Sequence, residues 1–209
     1  MILDNVQFRK NYYQNRNKIR TEDGWLWITV PVNHALKTFI SGVTIVSDLR
    51  WKKKWINRIY YSYCKTPYFN FYYKELETII LKDWKTLSEL NVSLIKMLCQ
   101  WLDIKTKFIA ASEISPKGNA NDLILSICKE LNADIYLSGI SGKEYLRLEE
   151  FAKESIKVVF QEFHHPIYKQ LYEPFIPCMS VIDLLFNHGN NSPDIINGRG
   201  VPVMKEIFV

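Results

Sequence analysis

Between Lys107 and Phe163 the hydrophobic pattern switches period again and again, and that rhythm limits the possible folds more than any other feature of the chain. Lys107 to Ala110 is a short apolar strand candidate. Asn119 to Leu131 then sets Leu123, Ile124, Ile127, Cys128 and Leu131 at helical spacing. Ala133 to Ser138 (ADIYLS) reads as a strand, Lys143 to Glu154 as a helix, and Ile156 to Phe163 (IKVVFQEF) as a strand again. Strand–helix–strand–helix–strand with short links implies a parallel sheet with right-handed crossovers.

The flanks have other periods. Residues 1–8 (MILDNVQF) read as a short strand running into a loop. Residues 9–20 interleave Arg9, Lys10, Arg16, Lys18 and Arg20 with amides and tyrosines. A Glu22-Asp23-Gly24 turn precedes the β-branched and aromatic run Trp25 to Val32, so residues 9–32 predict a hairpin with a basic first arm. From Asp48 the period becomes helical. Trp55, Ile56, Ile59, Tyr60 and Tyr63 share one face, with Lys52, Lys53, Lys54 and Arg58 elsewhere. Thr66-Pro67 reads as the start of a second helix to about Leu81, and Leu87 to Leu102 as a third. Asp183 to Phe186 starts a further helical turn ended by Asn187-His188-Gly189, and the residues after Ser192 show no period.

Charge is divided along the chain. Residues 1–74 hold 13 Lys/Arg and 4 Asp/Glu, a balance of +9, whereas residues 75–209 hold 14 and 18, a balance of −4. The N-terminal third therefore faces an anionic partner: a nucleic acid, a phosphorylated small molecule or a membrane surface. With 47% apolar and 23% charged residues the chain is neither disordered nor fibrous. No run of apolar residues is long enough to span a bilayer, and Met1-Ile2-Leu3-Asp4 lacks a signal-peptide layout, so a cytoplasmic protein is expected. Cys64, Cys99, Cys128 and Cys178 form no C-x-x-C pair, which fits reduced thiols.

Ligands of open parallel sheets bind beyond the carboxyl ends of the strands. Two segments lie there. Ser138-Gly139-Ile140-Ser141-Gly142 offers backbone amides to a phosphate or carboxylate, or is an ordinary tight turn. His164-His165 follows the next strand, and His165 is either a general base or a structurally bonded residue. His34 and His188 are isolated, so no metal set is expected. Ser138 has no nucleophile elbow and Cys178 no local signature of a nucleophile. Asp183, at an apolar helix start, reads as a cap. The basic arm either grips an anion with Tyr12 or Tyr13 stacking on a base, or protects a sheet edge with charge. Arg50 to Arg58 reads as the solvated face of its helix.

The motifs also resemble a known family. Asp4-Asn5-Val6-Gln7-Phe8, Asn15-Arg16-Asn17-Lys18-Ile19 and Trp27-Ile28-Thr29-Val30-Pro31-Val32 resemble the front of the WbqC-like family. Lys65-Thr66-Pro67-Tyr68-Phe69, Asp122-Leu123-Ile124, Tyr136-Leu137-Ser138-Gly139, His165-Pro166 with Tyr168 and Gln170, Phe175-Ile176-Pro177 and Ser180 to Gly189 follow in the family's order. The resemblance implies one α/β domain over residues 1–190, without the family's opening strand and loop, and a tail over 191–209. Its expected architecture is α/β: a Rossmann-like parallel sheet in a three-layer arrangement, with a helical middle section and an N-terminal hairpin.

The resemblance further implies a bacterial enzyme of surface polysaccharide (O-antigen) biosynthesis. It would transfer an aminoacyl or acyl group to a nucleotide-linked amino sugar. On that reading Arg9, Lys10, Arg16 and Lys18 meet the diphosphate, and Gln7, Asn15, Asn17, Ser138, Gly139, Tyr168 and Gln170 complete the substrate site. His165 deprotonates the amine, with Asp183 or a Tyr hydroxyl as its partner. No cofactor and no metal is named by these residues. A non-catalytic nucleotide or nucleic-acid binder, or an inactive truncated copy, are the alternatives.

Overall fold

The computed structural model describes residues 1–204. In chain order the elements are β1 (Arg16–Thr21), β2 (Gly24–Thr29), β3 (Val32–Asn33), β4 (Thr44–Ile45), α1 (Arg50–Tyr63), α2 (Phe69–Leu81) and α3 (Leu87–Trp101). They continue with α4 (Ala111–Ile114), α5 (Asn121–Glu130), β5 (Ile135–Ser138), α6 (Leu148–Lys153), β6 (Lys157–Phe160), α7 (Val181–His188) and α8 (Ser192–Ile196). The chain divides into two compact units. One comprises Met1–Asn5 with Lys107–Phe163, and the other Val6–Thr106 with the segment from His164 onward.

In the larger unit β1 and β2 form the expected antiparallel hairpin, with Lys18 opposite Trp27 and Arg20 opposite Trp25. Strand β1 is shorter than the basic arm, since residues before Arg16 form turns. The run from Trp25 to Val32 breaks at Pro31, which has no amide hydrogen to continue a ladder. Its end enters a separate pair, β3 with β4. Helix α1 buries Trp51, Trp55, Ile56, Ile59 and Tyr63 on the stripe that its apolar spacing dictates. Phe69, Tyr72, Leu76 and Ile80 of α2 join the same core with Leu185 and Phe186 of α7. Each fully buried side chain of this size contributes about 1.5–3 kcal/mol.

Several boundaries differ from the sequence reading. Thr66-Pro67 does not open α2, which begins at Phe69; the Thr66 hydroxyl donates to the Tyr63 carbonyl at 2.7 Å and closes α1 instead. Residues 192–196, which showed no period, form α8, too short to repeat one. Ile195 packs there against Tyr168 and Leu184.

In the smaller unit β5 and β6 pair in parallel, Tyr136 opposite Val158, with α6 between them in the chain. Helix α5 buries Leu123, Ile124, Ile127 and Cys128. The predicted helix over 143–154 splits into a tight turn, Ile140–Glu144, and α6. Arg147 separates them, because its amide donates to Asn121 at 2.8 Å and its side chain binds Asp122 and Glu150. Residues 1–8 and 107–110 form no strand. Ile2 makes only an isolated parallel bridge to Ala110, and Gln7 an isolated antiparallel bridge to Phe39. Each sheet among the described residues therefore has two strands. The protein is α/β in content, but these residues do not build the expected three-layer Rossmann-like sheet: the segment that would supply its third strand is spent on that one bridge.

Candidate functional site

The basic arm is organised by aromatic rings across the hairpin. The Arg16 guanidinium lies 4.1 Å from the centre of the Trp27 ring, and the Lys18 ammonium 4.6 Å from that of Trp25. Arg9 lies 5.3 Å from the Tyr12 ring centre, in the exposed loop before β1. Such contacts hold a cation in place without cancelling its charge. Gln7, Arg9, Lys10 and Asn17 are exposed, and Lys18 is half-buried. The last arm cation behaves differently. Arg20 is 1% exposed and its guanidinium donates to the carbonyls of Thr21, Gly24, Tyr172 and Pro174. It ties the hairpin to the segment before α7.

Asn15, Arg16 and Asn17 line a cavity of about 220 Å³ whose other walls are mostly apolar, including Ile28, Trp55 and Leu94. Asn15 is 5% exposed; its side-chain amide donates to the Val30 carbonyl at 3.1 Å, while its own Oδ1 has no partner. The Arg16 Nε is likewise buried without one. An apolar chamber with a few polar groups at one side is the usual composition of a small-molecule site.

A second group of predicted residues forms a buried hub beside the same hairpin. Asp183 has no exposed surface, and its Oδ2 accepts from the Tyr168 hydroxyl at 3.0 Å and from Gln170 at 2.9 Å. Gln170 also donates to the Ile176 carbonyl and accepts from the Ile176 amide, at 2.9 and 2.8 Å. Burial pushes the Asp183 carboxyl above its ordinary value, and hydrogen bonds from Gln170, Tyr168 and Tyr63 with the charge of Arg20 draw it part of the way back. Burial also raises Tyr168 and Tyr63, so both remain protonated donors. These residues hold the loop from Tyr172 to Ser180, whose last amide donates to the Lys18 carbonyl at 2.8 Å.

His165, half-buried, reaches that loop at Cys178. Its Nε2 accepts from the Cys178 amide at 3.1 Å, and Nδ1 faces the Pro166 carbonyl at 2.7 Å. This fixes the proton on Nδ1 and leaves Nε2 as the basic nitrogen. The Tyr168 ring lies nearly parallel to the imidazole at 6.4 Å, and its hydroxyl is the one bound to Asp183. Tyr168 therefore stands between His165 and the carboxylate expected to assist it. The geometry makes Asp183 a positioning residue rather than one that touches substrate.

Ser138 and Gly139 belong to the smaller unit. Ser138 is 3% exposed and its hydroxyl donates to the Gly139 carbonyl at 3.0 Å. The turn after it has five residues, and its Gly142 amide donates to Gly139. A Cβ on Gly142 would lie 2.1 Å from the Ser138 hydroxyl, so glycine is required by close packing there. Among the described residues no cluster of His, Cys, Asp and Glu is placed to hold a metal ion, and no helix is long and apolar enough to cross a membrane.

Sequence reasoning missed the roles of Trp25, Trp27 and Arg20, and, although it singled out Tyr168, Gln170 and Asp183, it did not show that they form one hub with Tyr63. The two-residue spacing of Trp25 and Trp27, which pair with Arg20 and Lys18 across the hairpin and leave Arg16 diagonal to Trp27, carried the first signal. The hub had none, because nothing in the spacing of Tyr168, Gln170 and Asp183 shows that they meet or that Tyr63 of α1 joins them.

Comparison with known proteins supports a family assignment. The profile described as "WbqC-like protein family" matches residues 1–195. A relative from Mycobacterium tuberculosis (strain ATCC 25618 / H37Rv), "Uncharacterized protein Rv1507c", is 30% identical over 200 residues, which is 94% of this chain and 86% of the relative. No solved structure matches the chain.

Proposed function

The chain belongs to the WbqC-like protein family, and we propose that it transfers an aminoacyl or acyl group to a nucleotide-linked amino sugar during bacterial surface polysaccharide synthesis. The observation that carries this reading is the cavity at the arm, where Asn15, Arg16 and Asn17 meet apolar walls. A small polar substrate with an apolar portion suits it. Gln7, Arg9, Lys10 and Lys18 supply hydrogen bonds and positive potential around the arm.

The reaction is one proton transfer and one displacement. The sugar amine attacks the carbonyl carbon of an activated donor, an N–C bond forms, and the donor's leaving group departs with its electron pair. The amine's surplus proton goes to His165 Nε2, which exchanges its bond to the Cys178 amide for one to the amine. Tyr168, Gln170 and Asp183 hold the loop on which that exchange occurs. Nucleotide-activated sugars are cytoplasmic metabolites, and the protein works there.

The test is incubation with nucleotide-linked amino sugars and activated glycine or acyl donors, read by mass spectrometry of the product. Transfer that falls in His165→Ala while nucleotide affinity stays unchanged supports the assignment. Equal loss of both moves His165 to binding or folding. Absence of both binding and turnover across the panel refutes the transferase reading, and steeply salt-dependent oligonucleotide binding replaces it with the nucleic-acid alternative.

A further inference from the structure

The basic face of α1 is more than a solvated surface. Arg50, Lys53, Lys54, Asn57, Arg58 and Tyr61 recur at helical spacing and together form one wall of a cleft of about 620 Å³. The opposite wall comes from Glu22 and Asp23 at the hairpin turn and from Tyr172. Lys52 leaves this face: it is 5% exposed and its ammonium closes the end of α2. The four remaining cations are not equally committed. Arg50 pairs with Asp48 at 2.5 Å, and Arg58 donates to the Trp27 carbonyl at 3.0 Å. Lys53 and Lys54 enter no ion pair among the described residues.

We propose that this cleft binds the nucleoside diphosphate portion of the substrate. Lys53, Lys54 and Arg58 meet the phosphates, Tyr61 stacks on the base, and Glu22 or Asp23 accepts from ribose hydroxyls. Each assignment follows from the chemistry of the wall. Two unpaired ammonium groups one residue apart suit a diphosphate, and Tyr61, 76% exposed, has a ring face open to stacking. Carboxylates opposite the cations suit hydroxyl donors, a division of labour used for ribose elsewhere. The cleft begins at Thr21 and the arm cavity at Arg16, about 17 Å apart along β1. An extended nucleotide-linked sugar has that reach, so base and phosphates occupy the cleft and the amino sugar reaches the arm. The inference rests on the transferase reading for its choice of ligand.

Isothermal titration of the full chain with UDP, ADP, GDP and inorganic pyrophosphate tests it. At least one nucleoside diphosphate binds, and Lys53→Ala/Lys54→Ala, both surface changes, weakens it about tenfold or more. Tyr61→Ala weakens the nucleoside diphosphate while leaving pyrophosphate unchanged, and Arg16→Ala leaves both unchanged. If Arg16→Ala abolishes diphosphate binding and the double lysine variant does not, the cleft assignment falls and the transferase reading stands. If transfer fails with every donor but diphosphate binding depends on Lys53 and Lys54, the transferase reading falls and the cleft stands. A single-stranded oligonucleotide that binds more tightly than every mononucleotide, or no binding by the wild type, overturns the proposal.

Discussion

Replacing Asp183 with alanine tests whether the hub positions the loop beside the hairpin. The change removes the acceptor shared by Tyr168 and Gln170, both buried, and leaves their donors without a partner. Each buried donor left without its partner costs about 1–3 kcal/mol. Relief from burying the carboxylate offsets part of that, so the expected net loss is about 3 kcal/mol. Urea unfolding at several pH values measures it. The pH dependence has a definite sign. Burial raises the folded carboxyl above its ordinary 3.8, so the folded state binds its proton more tightly than the unfolded state. The lead of wild type over Asp183→Ala is therefore largest below pH 3.8 and shrinks as pH rises through the raised folded value. Limited proteolysis supplies a structural readout: cleavage between Tyr172 and Ser180 increases in the variant, because Gln170 no longer fixes Ile176 against the hub. A loss under about 1 kcal/mol, or a lead that grows with pH, refutes this account.

Other perturbations have distinct expected outcomes. Lys52→Met retains the buried stem but strips the ammonium from the carbonyls of Leu81 and Lys82 and from Asp83, and is expected to lower unfolding free energy by about 2 kcal/mol in urea titration. Gly189→Ala places a side chain at φ +53 with its Cβ 2.4 Å from the Tyr68 ring, so thermal unfolding should show a loss of about 2 kcal/mol or more. Thr86→Ala removes the α3 capping box, in which Glu89 and Thr86 bond each other's backbone, and should cost about 1 kcal/mol. The Thr86 amide, donating to the Glu89 carboxylate, is the main cause that holds it below its ordinary 4.5. The bonds that the Glu89 carboxylate accepts from the Thr86 and Lys85 amides survive in Thr86→Ala, so its deficit should stay nearly constant with pH, whereas Glu89→Gln should converge with wild type as pH falls through the lowered value.

Local chemistry determined much of this protein from the sequence alone. The helical stripes of α1, α2 and α3, the Gly24 hairpin turn, the parallel pairing of β5 with β6 and the glycine ending α7 each follow from residues close in the chain. Spacing sufficed there because periodicity and turn preference are short-range properties. Sequence also assembled the family motifs, since their order is itself a linear property.

Tertiary structure decided which charges and motifs share a location. Arg16, Arg20, Lys52 and Lys53 are alike on paper. One lies on Trp27 beside a cavity, one is buried among four carbonyls, one closes α2, and one faces a cleft. Asp183 likewise became a buried tie only because Tyr168 and Gln170 fold back onto it and Tyr63 joins them from α1. The physical reason is that a charged or polar side chain takes its role from its solvation and its partners. Both depend on contacts between residues far apart in sequence.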